Sequence, residues 1–151
     1  QVNYYFETRD QYFKNNRSAL RVRVIDKNYE LTLKINNGDH NIEHNFDIDY
    51  LVFDKMINLG QLPHEVLRIL NLNLVLFQVV VIETNRYTYR YLDHMIELDH
   101  SKFLNTIDFE LEVEAESLTK ATEVLNAFCE EYQLNPKPSK AKIARYFEYN
   151  K

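Results

Sequence analysis

The sequence predicts an α+β protein built on an antiparallel β-sheet, closed as a barrel or tunnel with a charged interior and helices packed outside. Three observations predict this. Several stretches alternate apolar and polar residues with period two, the signature of strands with one apolar face. Two regions, 48–70 and 117–149, show helical spacing and can cover that apolar face. The polar faces are sorted by sign: Arg21/Arg23 and Arg86/Arg90 are basic, whereas Glu97/Asp99 and the column from Asp108 to Glu116 are acidic. A solvated surface tends to intersperse its charges. A sheet sorted this way can close on itself around a charged lining.

Taken in order, Val2 to Thr8 (VNYYFET) is rich in β-formers and reads as a strand, and Gln11 to Ser18 reads as a polar loop. Ala19 to Asp26 (ALRVRVID) and Tyr29 to Ile35 (YELTLKI) alternate cleanly on either side of Lys27-Asn28, a hairpin pattern. A turn over 36–39 leads to a short strand from His40 to Phe46. Ile48, Leu51, Val52, Met56 and Ile57 place a helix over 47–59, and Pro63 opens a second through Leu70. The apolar run Leu74 to Ile82 reads as a buried strand that continues extended to Leu92. His94 to His100 is the next strand, followed by Ile107 to Glu116 (IDFELEVEAE), with a carboxylate at every second position. Ser117 stands where a helix cap belongs, ahead of an amphipathic segment through Tyr132. Pro136 and Pro138 form a linker, and Ser139 caps a last helix from Lys140 to Tyr149.

The chain of 151 residues is expected to be a single domain over 1–151. With 11 Tyr, 9 Phe and only 2 Gly, it suits long regular strands rather than a loop-rich scaffold. Its net charge of −5 argues against a nucleic-acid partner, because phosphate-gripping proteins carry a basic surplus. No apolar run has transmembrane length and no signal peptide is present, so the expectation is a cytoplasmic protein with no membrane partner, monomeric or homodimeric. Cys129 is the only cysteine, which excludes an intrachain disulfide and a Cys-based zinc site. The chain opens on Gln1 directly into strand-like sequence, and a longer, N-terminally extended parent is expected.

The charged faces suggest a chemistry. Carboxylates bind hard divalent cations such as Mg²⁺ or Mn²⁺ through oxygen. Arginine and lysine take polyanionic oxygens, arginine bidentately. Together they suit a metal-chelated polyphosphate. With so few glycines there is no phosphate-cradling loop at a helix N-terminus. His40 and His44 lie in strand-like sequence rather than on a metal-binding helix.

The segments ALRVR (19–23), ELTLK (30–34), Glu43, TNRYTYRY (84–91), IELD (96–99), DFELEVE (108–114) and SKAKIARY (139–146) occur in this order over almost the whole chain. As an ordered set they resemble the CYTH superfamily of triphosphate tunnel metalloenzymes. The match is to its small bacterial members described as adenylate cyclases or triphosphatases. The resemblance implies an eight-stranded antiparallel tunnel and divalent-metal-dependent hydrolysis of a triphosphate, whether inorganic, nucleoside or thiamine triphosphate. Adenylate cyclase activity, or nucleotide or polyphosphate binding without catalysis, are the alternatives. Carried over by position, Arg21, Arg23, Lys34, Arg86, Arg90, Lys140 and Arg145 would hold phosphate oxygens. Glu110, Glu112 and Glu114 would bind Mg²⁺ or Mn²⁺, and Glu112 and Glu97 would be catalytic. The family's N-terminal Glu-x-Glu-x-Lys strand has no counterpart in the sequence given, as expected for a piece of a longer protein.

Overall fold

The computed structural model describes residues 1–38, 41–103, 105–138 and 140–149. They form seven strands and five helices in the order β1 (Val2–Glu7), α1 (Tyr12–Asn15), β2 (Ser18–Ile25), β3 (Asn28–Asn36), β4 (Asn41–Ile48), α2 (Tyr50–Leu59), α3 (His64–Leu70), β5 (Phe77–Tyr91), β6 (His94–Phe103), β7 (Thr106–Glu114), α4 (Leu118–Glu131) and α5 (Lys142–Tyr149). The chain divides into two compact units, Gln1–Glu83 and Thr84–Lys151, and passes from one to the other within β5. No described helix is long and apolar enough to cross a membrane.

The first unit carries strands in the order β4-β3-β2-β1-β5, every neighbour antiparallel. Register sorts the faces. Leu20 pairs with Leu33 and Val22 with Leu31, while Arg21 pairs with Thr32 and Arg23 with Glu30. The apolar face is the core, built on Phe6, Leu20, Val22, Leu31 and Leu33, with Met56, Leu62 and Val66 from the α2–α3 region packed on it. Phe53 of α2 meets Tyr4 and Tyr29, ring centroids 4.9 and 5.1 Å apart. Asp49 caps α2 by accepting from the Val52 amide at 2.9 Å, and Pro63 precedes α3 as expected. All of this places the helices on one face and leaves the polar face of the sheet to other uses.

Several local expectations are corrected. Residues 47–48, expected in the helix, end β4, and α2 begins at Tyr50. The Gln11–Ser18 segment is not all loop: it contains α1, whose first amides are held by a carboxylate at the end of β1. Glu7 Oε1 accepts from the Thr8 and Phe13 amides and Oε2 from the Lys14 amide, each at 2.9 Å. The run from Leu74 does not enter a strand until Phe77. Gly60 ends α2 in the left-handed region (φ 62°), and its carbonyl accepts from the Leu76 amide at 2.8 Å. That contact and the Gln61–Val75 bridge use the backbone groups a strand would need.

In the second unit, β5 turns into β6 through Leu92 and Asp93, both at positive φ (46° and 64°), and β6 pairs with β7. Such a turn matches the twist of the strands it joins. Ser117 caps α4 by accepting from the Lys120 amide at 3.1 Å. Phe128 of α4 packs against Tyr91 and Tyr89, and Cys129 is buried as a small apolar group. The last helix starts at Lys142, two residues later than the sequence suggests, and its expected cap Ser139 lies outside the described residues.

Gly60 offers a direct check on the α2–β5 connection. A Cβ there would lie 2.6 Å from the Leu76 carbonyl oxygen, in a backbone conformation that side chains disfavour. Gly60→Ala is expected to lower stability by about 1–3 kcal/mol, read as a lower urea midpoint at unchanged m value.

Candidate functional site

Each unit has its own charged face. In the first, cross-strand register puts Asn3, Arg23 and Glu30 in one row and Tyr5, Arg21, Thr32 and Asn45 in the next. Lys34 and Glu43 form a third. Two of these cations have carboxylate partners: Arg23 Nη1 lies 3.4 Å from Glu30 and Lys34 Nζ 2.8 Å from Glu43. Burial pushes the Glu43 carboxyl up, but Lys34, Arg21 and Arg23 outweigh it and hold it below its ordinary range. Arg21 forms no such ion pair among the described residues, and its Nε, which is buried, has no hydrogen-bond partner among them. A guanidinium with an idle, desolvated donor is prepared for an anion.

In the second unit the carboxylates converge and are already neutralised in part. Register pairs Glu97 with Glu112, Asp99 with Glu110 and Ser101 with Asp108, so these side chains share a face. Arg86 reaches them from β5. Its Nε and Nη2 donate to both oxygens of Asp99 at 2.7 and 2.8 Å, Nη2 also donates to Glu112 at 2.9 Å, and Nη1 pairs with Glu97. Helix α5 lies over the same face. Lys142 Nζ stands 2.6 Å from Asp99, 2.7 Å from Glu110 and 3.1 Å from Glu112. Arg145 donates to Asp108 at 2.7 Å and to both oxygens of Glu110 at 3.0 and 3.2 Å. Phe103, on this face of β6, receives Tyr146 and Tyr149 of α5 and anchors the helix there.

The electrostatics follow from burial and pairing. Asp99 is 1% exposed. Burial alone would raise its pKa, yet the hydrogen bonds from Arg86 and Lys142 prevail and hold it below its ordinary value. Glu97 goes the other way: burial raises it, Arg86 only partly opposes this, and Glu112, Glu114 and Asp99 add repulsion. Hydrogen bonding to Asp99 raises Arg86. Lys142 is lowered by burial but raised on balance by Glu112, Asp99 and Glu110. All three cations of this face are thus held in the charged state.

Asp99, Glu110 and Glu112 each offer an oxygen within 4.8 Å of the others, a spacing that suits one metal ion. Hard oxygen donors suit a divalent cation of the Mg²⁺ or Mn²⁺ kind. A positive group, Lys142 Nζ, already stands among these three carboxylates. Among the described residues, five carboxylates (Glu97, Asp99, Asp108, Glu110, Glu112) meet three cations. The excess of two negative charges matches a divalent ion. The residues therefore fit a metal in donor type, spacing and charge.

The sequence-predicted residues divide accordingly. Arg21, Arg23 and Lys34 share the polar face of the first unit. Arg86, Glu97, Glu110 and Glu112 come together in the second, as does Arg145, whose guanidinium is engaged by Asp108 and Glu110. Three residues stand apart. Arg90 is largely exposed and pairs with Asp93, Lys140 is exposed and pairs with Glu148, and Glu114 is exposed. Asp99, Asp108 and Lys142 belong to this face although the sequence assigns none of them a role. The signals were present: Asp99 shares a strand face with Glu97, and Lys142 lies three residues before Arg145, on the same helix face.

Apart from Glu148 and Tyr149, this arrangement falls within residues 1–147, which match the family model described as "CYTH domain". The chain belongs to the CYTH family. It is 27% identical over 150 residues to a Bacillus subtilis (strain 168) protein named "Putative triphosphatase YjbK", covering 98% of this chain and 79% of that one. Among solved structures it matches a Bacillus halodurans protein described as a "putative adenylate cyclase", with TM-score 0.87, 28% identity and coverage of 97% of this chain and 81% of that one. It also matches HpAC1 from Hippeastrum, described as a "putative adenylyl cyclase" with a dominant triphosphatase activity; here the TM-score is 0.78, the identity 20% and the coverage 99% and 81%. The expected α+β antiparallel fold of the CYTH tunnel kind is the fold this chain shares with these structures.

Asp99 is the group on which the CYTH acidic face most depends. Its carboxyl is lowered in the fold, so its ionised form contributes stability above the ordinary value of 3.8 and loses it as pH falls through the lower folded value. Asp99→Asn is expected to cost about 3–5 kcal/mol near neutral pH. Urea unfolding repeated at falling pH should show the gap to wild type closing only below pH 3.8.

Proposed function

We propose that this CYTH protein is a divalent-metal-dependent triphosphatase, acting on inorganic triphosphate or on a nucleoside or thiamine triphosphate. The observation that carries the reading is the pairing of two chemistries in one chain. The first unit presents a cationic face with an idle guanidinium donor at Arg21. The second presents three carboxylates spaced for one cation and a charge excess of the right size. A triphosphate substrate needs both, since its oxygens require cationic partners and its hydrolysis requires charge neutralisation at phosphorus. The name carried by the Bacillus subtilis relative and the activity described for HpAC1 support the same reading.

In this proposal Arg21, Arg23 and Lys34 hold phosphate oxygens. Arg86 contributes a charge fixed in orientation by the two-pronged grip of Asp99. Asp99, Glu110 and Glu112 would hold Mg²⁺ or Mn²⁺, which when bound neutralises phosphate charge. Glu97 is the proton acceptor for the attacking water, because its raised pKa makes it a stronger base than an ordinary carboxylate. Water oxygen bonds to the terminal phosphorus, the bond from that phosphorus to the bridging oxygen breaks, and orthophosphate and the shortened chain leave. The description of the Bacillus halodurans structure favours a second reading, cyclisation of ATP by its own ribose 3′-hydroxyl.

The test is release of phosphate from inorganic triphosphate, ATP and thiamine triphosphate with Mg²⁺ or Mn²⁺, with cyclic AMP measured alongside. Turnover of at least one triphosphate is expected, and Arg21→Ala and Glu112→Gln should each reduce it by about 100-fold at unchanged thermal midpoint. Cyclic AMP without phosphate release would favour the cyclase. Binding of triphosphate with neither product would leave a binding protein and overturn the enzymatic reading.

A further inference from the structure

Of the described neutral side chains on the polar face of the first unit, to which the roles above give no work, two are buried with an unpartnered polar atom. Asn3 is 2% exposed and Thr32 1%. Register places Asn3 beside Arg23 on the neighbouring strand and Thr32 between Arg21 and Asn45. Cross-strand partners point to the same side of a sheet, so both lie in the floor from which the arginines rise. Leu31 and Leu33, the neighbours of Thr32 in the chain, point the other way into the core.

Neither Asn3 Oδ1 nor Thr32 Oγ1 has a hydrogen-bond partner among the described residues. A buried hydroxyl without a partner is destabilising, and valine would fill the same volume at a strand position without that penalty. Most buried polar side chains in folded proteins are satisfied. Two orphans on one face, together with the unpartnered Nε of Arg21, therefore mark a place where hydrogen bonds are completed by something bound.

We propose that Thr32 and Asn3 are the neutral hydrogen-bonding floor of the polyphosphate site, each donating to a phosphoryl oxygen held by the arginines above. This rests on the anion-binding reading of the first unit and deepens it. Thr32 donates through its hydroxyl. Asn3 donates through its amide nitrogen, in the flipped orientation of an amide whose two ends are nearly alike in shape. The two rows are two residues apart along β2, and Asn3 and Thr32 stand on β1 and β3, either side of it; roughly 6.6 Å along the strands and about 9–10 Å across them separate the two backbones, which is longer than one phosphate group. Asn3 and Thr32 thus address different phosphates of a chain, and the floor selects polyphosphate over orthophosphate. Arginine charge attracts any anion, whereas fixed neutral donors select the spacing of its oxygens.

The test compares wild type, Thr32→Val, Thr32→Ser and Asn3→Leu by thermal unfolding without ligand and by calorimetric binding of inorganic triphosphate and of orthophosphate in EDTA. Thr32→Val should raise the ligand-free midpoint by about 2–4 °C and weaken triphosphate binding about tenfold or more. Thr32→Ser should keep wild-type binding. Asn3→Leu should narrow the preference for triphosphate over orthophosphate. Thr32→Val with unchanged binding, or with a midpoint no higher than wild type, overturns the proposal, since the hydroxyl would then be idle or internally satisfied. Absence of triphosphate binding by wild type in EDTA overturns instead the anion-site reading on which the proposal rests. Phosphate release with Mg²⁺ or Mn²⁺ tests the triphosphatase reading separately.

Discussion

A carboxylate that is almost wholly removed from water must find positive charge at close range, and Asp99 is such a group. Much of the second unit can be understood as the answer to that requirement. Arg86 grips it with two parallel bonds from β5, and Lys142 approaches from α5. Once those cations are in place, Glu110 and Glu112 can stand beside Asp99 without unsupported repulsion. The docking of α5 is thus an electrostatic event as much as an apolar one, with Phe103 supplying the apolar part.

The two units treat their charges differently. On the acidic face every cation is committed, several of them to more than one carboxylate. On the basic face the ion pairs Arg23–Glu30 and Lys34–Glu43 are more exposed, and Arg21 keeps a donor in reserve. Exposed pairs of that kind contribute little to stability. The acidic face is held largely by cations of its own chain, whereas the basic face keeps hydrogen-bonding capacity unused among the described residues.

The strands were legible because period-two alternation survives in the sequence wherever one face is a core. ALRVRVID and YELTLKI pair in the structure with leucines and valines on one side and arginines, threonine and lysine on the other, as their alternation requires. What escaped was set by contacts from outside the segment concerned. Helix α1 is four residues long and has no periodicity to detect; it exists because Glu7 reaches its amides. The early part of the Leu74 run looked like strand because it is apolar, but its backbone is engaged by Gly60 and Gln61. Among the site residues, the family resemblance points to Lys140 and does not single out Lys142. Only the stripe shared by Lys142, Arg145, Tyr146 and Tyr149, at helical spacing, distinguishes the lysine that faces the carboxylates. Thr32 and Asn3 could not be noticed in sequence, since their interest lies in bonds they fail to make.

Helix α5 gives the acidic wall counterions that are part of the polypeptide. A cluster of carboxylates without them would assemble only as fast and as firmly as dissolved cations allowed, and its folding would follow the ionic composition of the medium, as it does in small domains organised by a metal. Lys142 and Arg145 are delivered by the chain itself, at a local concentration fixed by its length and independent of supply. The wall can therefore be completed during folding, before any inorganic ion arrives.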